Sequence, residues 1–206
     1  MSSCTMLLPC RIGDYTDFYS SKNHAYNVGC MFRGPDNALQ PNWVWLPVGY
    51  HGRSSSVVIS GTNVTRPKGQ FRIPTGAGDP TFITCKKFDF ELEMGAFYGG
   101  ASNGLGNRLE IKNAEDHIFG LCLLNDWSCR DLQVWEYVPL GPFTAKNMGT
   151  VISPWIVTMD ALEPFRCKLP EQDPKPLEYL QDPNYSSYDI SLKVNIVTPD
   201  STKEQL

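Results

Sequence analysis

Ile118-Phe119-Gly120-Leu121-Cys122-Leu123-Leu124 runs directly into Asn125-Asp126-Trp127-Ser128-Cys129-Arg130-Asp131-Leu132-Gln133-Val134-Trp135-Glu136-Tyr137. The apolar run reads as a buried strand or as the start of a buried helix. Asn125 and Ser128 are both N-cap residue types, and Ser128 with Asp131 has capping-box spacing. A helix from this point sets Asp126, Arg130, Gln133 and Tyr137 three or four residues apart on one face. That face carries an anion, a guanidinium, an amide and a phenol. The plainer alternative is a capped surface helix with an i,i+4 Asp–Arg pair.

The 206 residues suit one large domain or a piece of a bigger protein, and 41% hydrophobic content supplies a sizeable core. A net charge of -4 and a pI near 5.4 argue against nucleic acid or an acidic membrane surface as the main partner. No apolar run approaches the ~18 residues that cross a bilayer. The start, through Cys10, lacks the basic segment of a secretory signal. Seven cysteines, an odd count scattered without CxxC spacing, predict reduced thiols in a cytoplasmic protein.

Earlier in the chain, Asp17 precedes a predicted short helix that starts after Ser20 or Ser21 and ends near Gly29, with His24 inside it. A carboxylate and an imidazole so placed can face one cleft, although a lone histidine is more often structural. Residues 35–47 read as loop, with Trp43 and Trp45 alternating as on a short strand. Leu46 to Arg53 is turn-rich and holds Tyr50 between glycines. Ser56 to Ser60 reads as a strand closed by Gly61, and residues 65–80, rich in Pro and Gly, as a surface loop.

Lys87 to Met94 alternates with period two, predicting a strand with Asp89, Glu91 and Glu93 on one face and Phe88, Phe90, Leu92 and Met94 on the other. Adjacent carboxylates on such a face are roughly 6.5–7 Å apart at Cα, close enough to converge on a cation. A solvated acidic face is the alternative. Val151 to Val157 reads as a further strand, and residues 164–184, with five prolines, as an extended connection. Asp189 to Ile196 is the cleanest strand pattern, followed by a hairpin-turn signal over 198–202. The expected return strand does not follow before Leu206, so the fold reads as incomplete.

Taken in order, Gly13 to Tyr19, Met31 to Gly34, Leu46 to Arg53, Phe90 to Met94, Asn125 to Ser128 and Trp135 to Phe143 resemble the fumarylacetoacetate hydrolase family. The resemblance runs from about Leu8 to Ile196. The Glu91-Leu92-Glu93 and Asn125–Ser128 elements are shared with smaller relatives such as acylpyruvases. The Tyr50–Arg53 and Trp135–Phe143 segments are more particular to the members that cleave fumarylacetoacetate. The resemblance implies a mixed, mainly β fold, a β-roll or mixed β-sandwich of the family's C-terminal domain type, incomplete here. It implies that residues 1–10 are a leader or remnant and 11–206 the N-terminal portion of the catalytic domain, without an SH3-like domain before it.

The resemblance also implies roles. One Ca²⁺ or Mg²⁺ falls to Asp17, Glu91, Glu93 and Asp126, four hard oxygen donors that suit such a cation better than zinc or copper. Lys146 and Thr150 match a second, magnesium position. His24 matches the general base, with Arg130 and Lys146 helping to hold developing negative charge. Substrate contacts fall on Tyr19, Arg33, Tyr50, Gln133 and Tyr137, and a homodimer is the implied assembly. The implied reaction cleaves a β-diketone's carbon–carbon bond with water, giving fumarate and acetoacetate. Two other expectations stand beside it: a short chain that binds metal or full-length subunits without catalysis, and a related hydrolase with another acyl substrate.

Overall fold

A computed structural model describes residues 3–73, 76, 78–197 and 203–205. The first strand, β1 (Thr16–Phe18), buries only Asp17, and α1 (Lys22–Arg33) follows. Ser21 caps α1 as the sequence predicts, its hydroxyl accepting the His24 backbone N–H at 3.3 Å. The helix runs past Gly29 because that glycine serves a close approach: a Cβ there would stand 1.8 Å from the Ala38 carbonyl oxygen. It stops at Gly34, whose φ of +80° suits a residue without a side chain.

Trp43 and Trp45 lie in turns rather than on a strand. The Trp43 indole N–H donates to the Tyr19 carbonyl at 2.8 Å and so fixes that loop against the end of β1. β2 (Gly49–His51) pairs antiparallel with β1, setting Tyr50 opposite Asp17. β3 (Val57–Ile59) ends before Gly61, as expected. The predicted 65–80 loop instead contains β4 (Lys68–Phe71), paired antiparallel with β5 (Thr81–Thr84). Lys68 to Phe71 is free of proline, and Phe71 packs on the Cys85–Cys129–Leu132–Ala145 cluster, which outweighs the turn-rich flanks.

The acidic strand is split. β6 (Phe88–Asp89) and β7 (Leu92–Tyr98) pair with β9 (Ser128–Cys129) and β8 (Ile118–Asp126) respectively. The two ladders share one register, interrupted where Glu91 and Asp126 face each other, and the Asp126 N–H still donates to the Glu91 carbonyl at 3.1 Å. Because pairing with β6 keeps the chain extended to Cys129, α2 (Arg130–Glu136) begins later than the sequence predicts. Asp126 is therefore the last residue of β8 and not part of a helix face. Asn125 and Ser128 do not cap α2: Asn125 Oδ1 accepts the Glu91 N–H at 3.1 Å, and the Ser128 hydroxyl turns to Glu91.

β10 (Thr150–Ile152) runs parallel to β3 and antiparallel to β8, and β11 (Val157–Thr158) is also antiparallel to β8. The predicted Val151–Val157 strand is thus cut at Pro154, which has no N–H for a ladder. This mixed five-stranded sheet buries Gly120, Cys122, Leu124 and Asp126 on one face of β8, with Val57 and Ile152 completing the core. The short helix α3 (Met159–Leu162) leads to β12 (Arg166–Lys168), paired with β13 (Ser186–Tyr188) across the proline-rich connection.

The Asp189–Ile196 pattern is realised only at its end. β14 (Asn195–Val197) pairs with a return strand, β15 (Lys203–Gln205), correcting the expectation of none; the predicted turn over 198–202 lies outside the described residues. Ile190, Leu192 and Ile196 are 37–39% exposed: the alternation is present, but no described layer covers its apolar face. The architecture is mixed and mainly β. No helix among the described residues is long and apolar enough to cross a membrane.

Candidate metal centre

Three strands end their inward alternation at one place. Asp17 is the buried residue of β1, Glu93 points inward on β7, and Asp126 continues the buried Gly120–Cys122–Leu124 face of β8. One carboxylate oxygen from each lies within 4.8 Å of the other two. Tyr50, across the β1–β2 pair, donates its hydroxyl to Asp17 Oδ2 at 2.5 Å.

Three carboxylates this close, two of them buried and the third partly so, repel one another. Burial, reinforced by Asp17, Asp126 and Glu91, pushes the Glu93 carboxyl up to about 8. Burial also dominates at Asp126 and, with the charges of Asp17 and Glu91 opposed by Lys146, leaves it at about 7. Such a trio is a set of hard oxygen donors that gives up protons on receiving a divalent cation, and its chemistry fits a hard one.

Glu91 stands outside the trio. Its carboxylate accepts from Arg130 Nη2 at 2.7 Å and from the Ser128 hydroxyl at 2.8 Å, and the Lys146 ammonium bonds both Glu91 and Asp126. Burial alone would raise the Glu91 carboxyl; Lys146 and Arg130 override it and bring it down to about 2. The arrangement answers a problem set by the register, since like charges opposite one another across strands are destabilising. A single cation wedged between Glu91 and Asp126 removes that penalty. Arg130 also pairs with Asp89 at 2.9 Å and donates to Gln133 Oε1 at 3.3 Å. The acids expected on one strand face thus serve three different environments.

The Lys146 loop is shaped by Glu136, which sequence reasoning did not single out. The Glu136 carboxylate accepts the backbone N–H of Phe143 at 3.0 Å and of Ala145 at 2.6 Å, together with the Thr144 hydroxyl. Thr150 follows on β10, buried and opposite Asp126. An open cavity of about 320 Å³, bounded by Tyr50, Arg53, Phe143, Lys146 and Asn147, adjoins the site.

The remaining residues sit further out. His24 is exposed on the first turn of α1, its ring edge-on to Tyr19 at 5.5 Å. Arg33, at the end of α1, donates from Nε to the Asn37 carbonyl at 3.0 Å and from Nη2 to the Ala38 carbonyl. Tyr137 closes α2 and is 46% exposed. Ser128 and Asp89 organise the site through Glu91 and Arg130; only their place beside the acidic residues could have signalled this.

Tyr15 also went unmarked. Its ring packs on the Val57–Cys122–Leu124–Ile152 core, and its hydroxyl is buried without a hydrogen-bond partner. Thr150 influences the phenol without reaching bonding geometry. An unpaired buried hydroxyl costs about 1–3 kcal/mol.

Comparison with known proteins gives this geometry a context. Residues 15–203 match the fumarylacetoacetate (FAA) hydrolase C-terminal family. The chain is 63% identical to a fumarylacetoacetase of Dictyostelium discoideum over 98% of its own length and 48% of that protein's. It is 59% identical to one of Arabidopsis thaliana, over 95% of this chain and 46% of the relative. Against one of Homo sapiens it is 57% identical, again over 95% and 46%. The chain spans about half the length of the curated relatives it matches. With the family match covering most of its residues, the chain belongs to the fumarylacetoacetate hydrolase family.

Proposed function

We propose that this chain carries the cation-dependent hydrolysis of the carbon–carbon bond of 4-fumarylacetoacetate to fumarate and acetoacetate, the last step of tyrosine and phenylalanine breakdown. The observation that supports it most is the Asp17–Glu93–Asp126 trio beside the Lys146 ammonium, in a chain whose relatives are named fumarylacetoacetase. Asp17, Glu93 and Asp126 would hold Ca²⁺ or Mg²⁺; Glu91, expected as a fourth ligand, would join them only with an oxygen now held by Arg130 or by Ser128 and Lys146. When bound, the cation supplies Lewis acidity to a diketone carbonyl. A second magnesium would rest on Thr150 and on the carbonyl of Lys146, because an ammonium offers no lone pair.

His24 takes the proton from water as general base. Arg130, Gln133 and Lys146 steady the oxyanion and the enolate-like leaving group. Arg33 pairs with a substrate carboxylate through the N–H groups not given to Asn37 and Ala38, and Tyr19, Tyr50 and Tyr137 line the diketone's path. The working assembly is a homodimer in the cytoplasm, consistent with seven cysteines that all remain free thiols.

The test is the loss of fumarylacetoacetate absorbance in the presence of the chain. Turnover with Mg²⁺ or Ca²⁺, abolished by EDTA and restored by added cation, is the expected result. A folded chain that binds cation yet consumes no substrate would overturn the reading and leave a binding role in its place.

A further inference from the structure

Glu136 stands at an unfavourable place for an anion. It is the last residue of α2, at the end of a helix that favours cations, and no basic residue shares that turn. Its carboxylate serves the turn that follows instead. Oε1 accepts the Phe143 N–H at 3.0 Å and the Ala145 N–H at 2.6 Å, while Oε2 accepts the Thr144 hydroxyl. The three donors belong to consecutive residues, and Lys146 is the next. The Lys146 N–H donates to the Phe143 carbonyl at 3.1 Å, and the Ala145 carbonyl accepts the Cys129 N–H at 2.9 Å, so the turn is closed on itself and tied to β9. Tyr137 to Leu140, which lead into it, are all exposed and add little packing.

We propose that Glu136 is a positioning residue for Lys146: by gathering the Phe143, Thr144 and Ala145 donors on one carboxylate, it sets the turn from which the Lys146 ammonium reaches between Glu91 and Asp126. A lysine stem is flexible, so its ammonium is placed only as well as the backbone beneath it. Alanine at 136 removes all three bonds. Glutamine keeps an oxygen for the two N–H groups and offers its amide to the Thr144 hydroxyl, which can turn to accept. The consequence for turnover rests on the proposed role of Lys146 in the reaction; the placement of the lysine does not.

The test compares Glu136→Ala and Glu136→Gln with the unaltered 206-residue chain. The first readout is the acetylation rate of Lys146 by acetic anhydride, measured by mass spectrometry against the exposed Lys175. In the Ala variant it should rise roughly tenfold or more as the ion pairs loosen and solvent arrives, and in the Gln variant stay within about twofold. The buried Cys85 and Cys129 should remain protected from a thiol reagent, which separates a freed lysine from an unfolded chain. Should the Ala variant lose that protection, Glu136→Asp, which draws the acceptors back by one methylene, is measured in its place with the same expectation. In turnover, Glu136→Ala should lower kcat roughly 10²-fold, yet add almost nothing in a Lys146→Met background. A merely structural carboxylate would cost the same factor in both. Unchanged Lys146 acetylation in the folded Ala or Asp variant, a Gln variant as reactive as the Ala one, or equal kcat losses in both backgrounds overturns the role of Glu136. Absence of turnover in the unaltered chain counts against the proposed reaction instead, and acetylation still decides the role of Glu136.

Discussion

Lys146→Met should lower the unfolding free energy by about 3–5 kcal/mol at pH 8, the cost of leaving a buried charge without its partner. Lys146 is 10% exposed and is held by carboxylates that are 14% (Glu91) and 2% (Asp126) exposed. The losses are unequal. Glu91 keeps Arg130 and Ser128, whereas Asp126 loses its cation while Glu91 still faces it across the ladder. Asp126, already at about 7, then shifts further upward. An acid whose folded pKa is raised stabilises the fold below its unfolded value and loses that contribution as pH rises through the folded value. The variant's deficit should therefore shrink from pH 8 to pH 5, and excess Ca²⁺ should shrink it at pH 8. Denaturant unfolding at the two pH values measures both. A deficit under about 1 kcal/mol at pH 8 would place Lys146 with screened surface pairs.

His24→Ala should behave in the opposite way, leaving stability alone and removing activity. His24 is exposed, and the bond that ties it to the cap comes from its backbone N–H, which alanine keeps. Alanine also suits a helix better than histidine. Unfolding free energy should stay within about 0.5 kcal/mol, the usual range for such surface changes. Turnover of fumarylacetoacetate should fall about 10²–10⁴-fold, the span of a lost general base, with KM little changed. Steady-state kinetics beside a melting curve separates the two effects. A variant turning over within about tenfold of the original would assign proton removal to another group.

How far the site was legible in the sequence depended on what each residue's position rested on. Ser21 and His24 were readable because a cap is a local bond three residues long. The β8 run was readable as buried, and its apolar stretch also carries Asp126 inward. The helix boundary was misread because Ser128 and Asp131 satisfy a capping pattern that pairing with Phe88 and Asp89 overrides. The acidic strand was legible as alternation, yet its break at Phe90–Glu91 falls between two ladders to partners far along the chain, a long-range fact. Likewise the Lys146 bridge joins residues 55 and 20 positions apart, and no periodicity encodes it. Asp189 to Ile196 failed the other way: strong strand character without a ladder partner along most of its length.

The central claim is that Asp17, Glu93 and Asp126 form one cation site, and proton-linked calorimetry tests it most directly. With Glu93 at about 8 and Asp126 at about 7, the cation-free trio holds protons at pH 7 that a bound cation must displace. Ca²⁺ titrated at pH 7 in buffers of different ionisation enthalpy should release about one proton per cation, falling toward none by about pH 9.5 as affinity rises. Saturable binding at pH 7 without proton release, or no saturable binding at either pH, would contradict it.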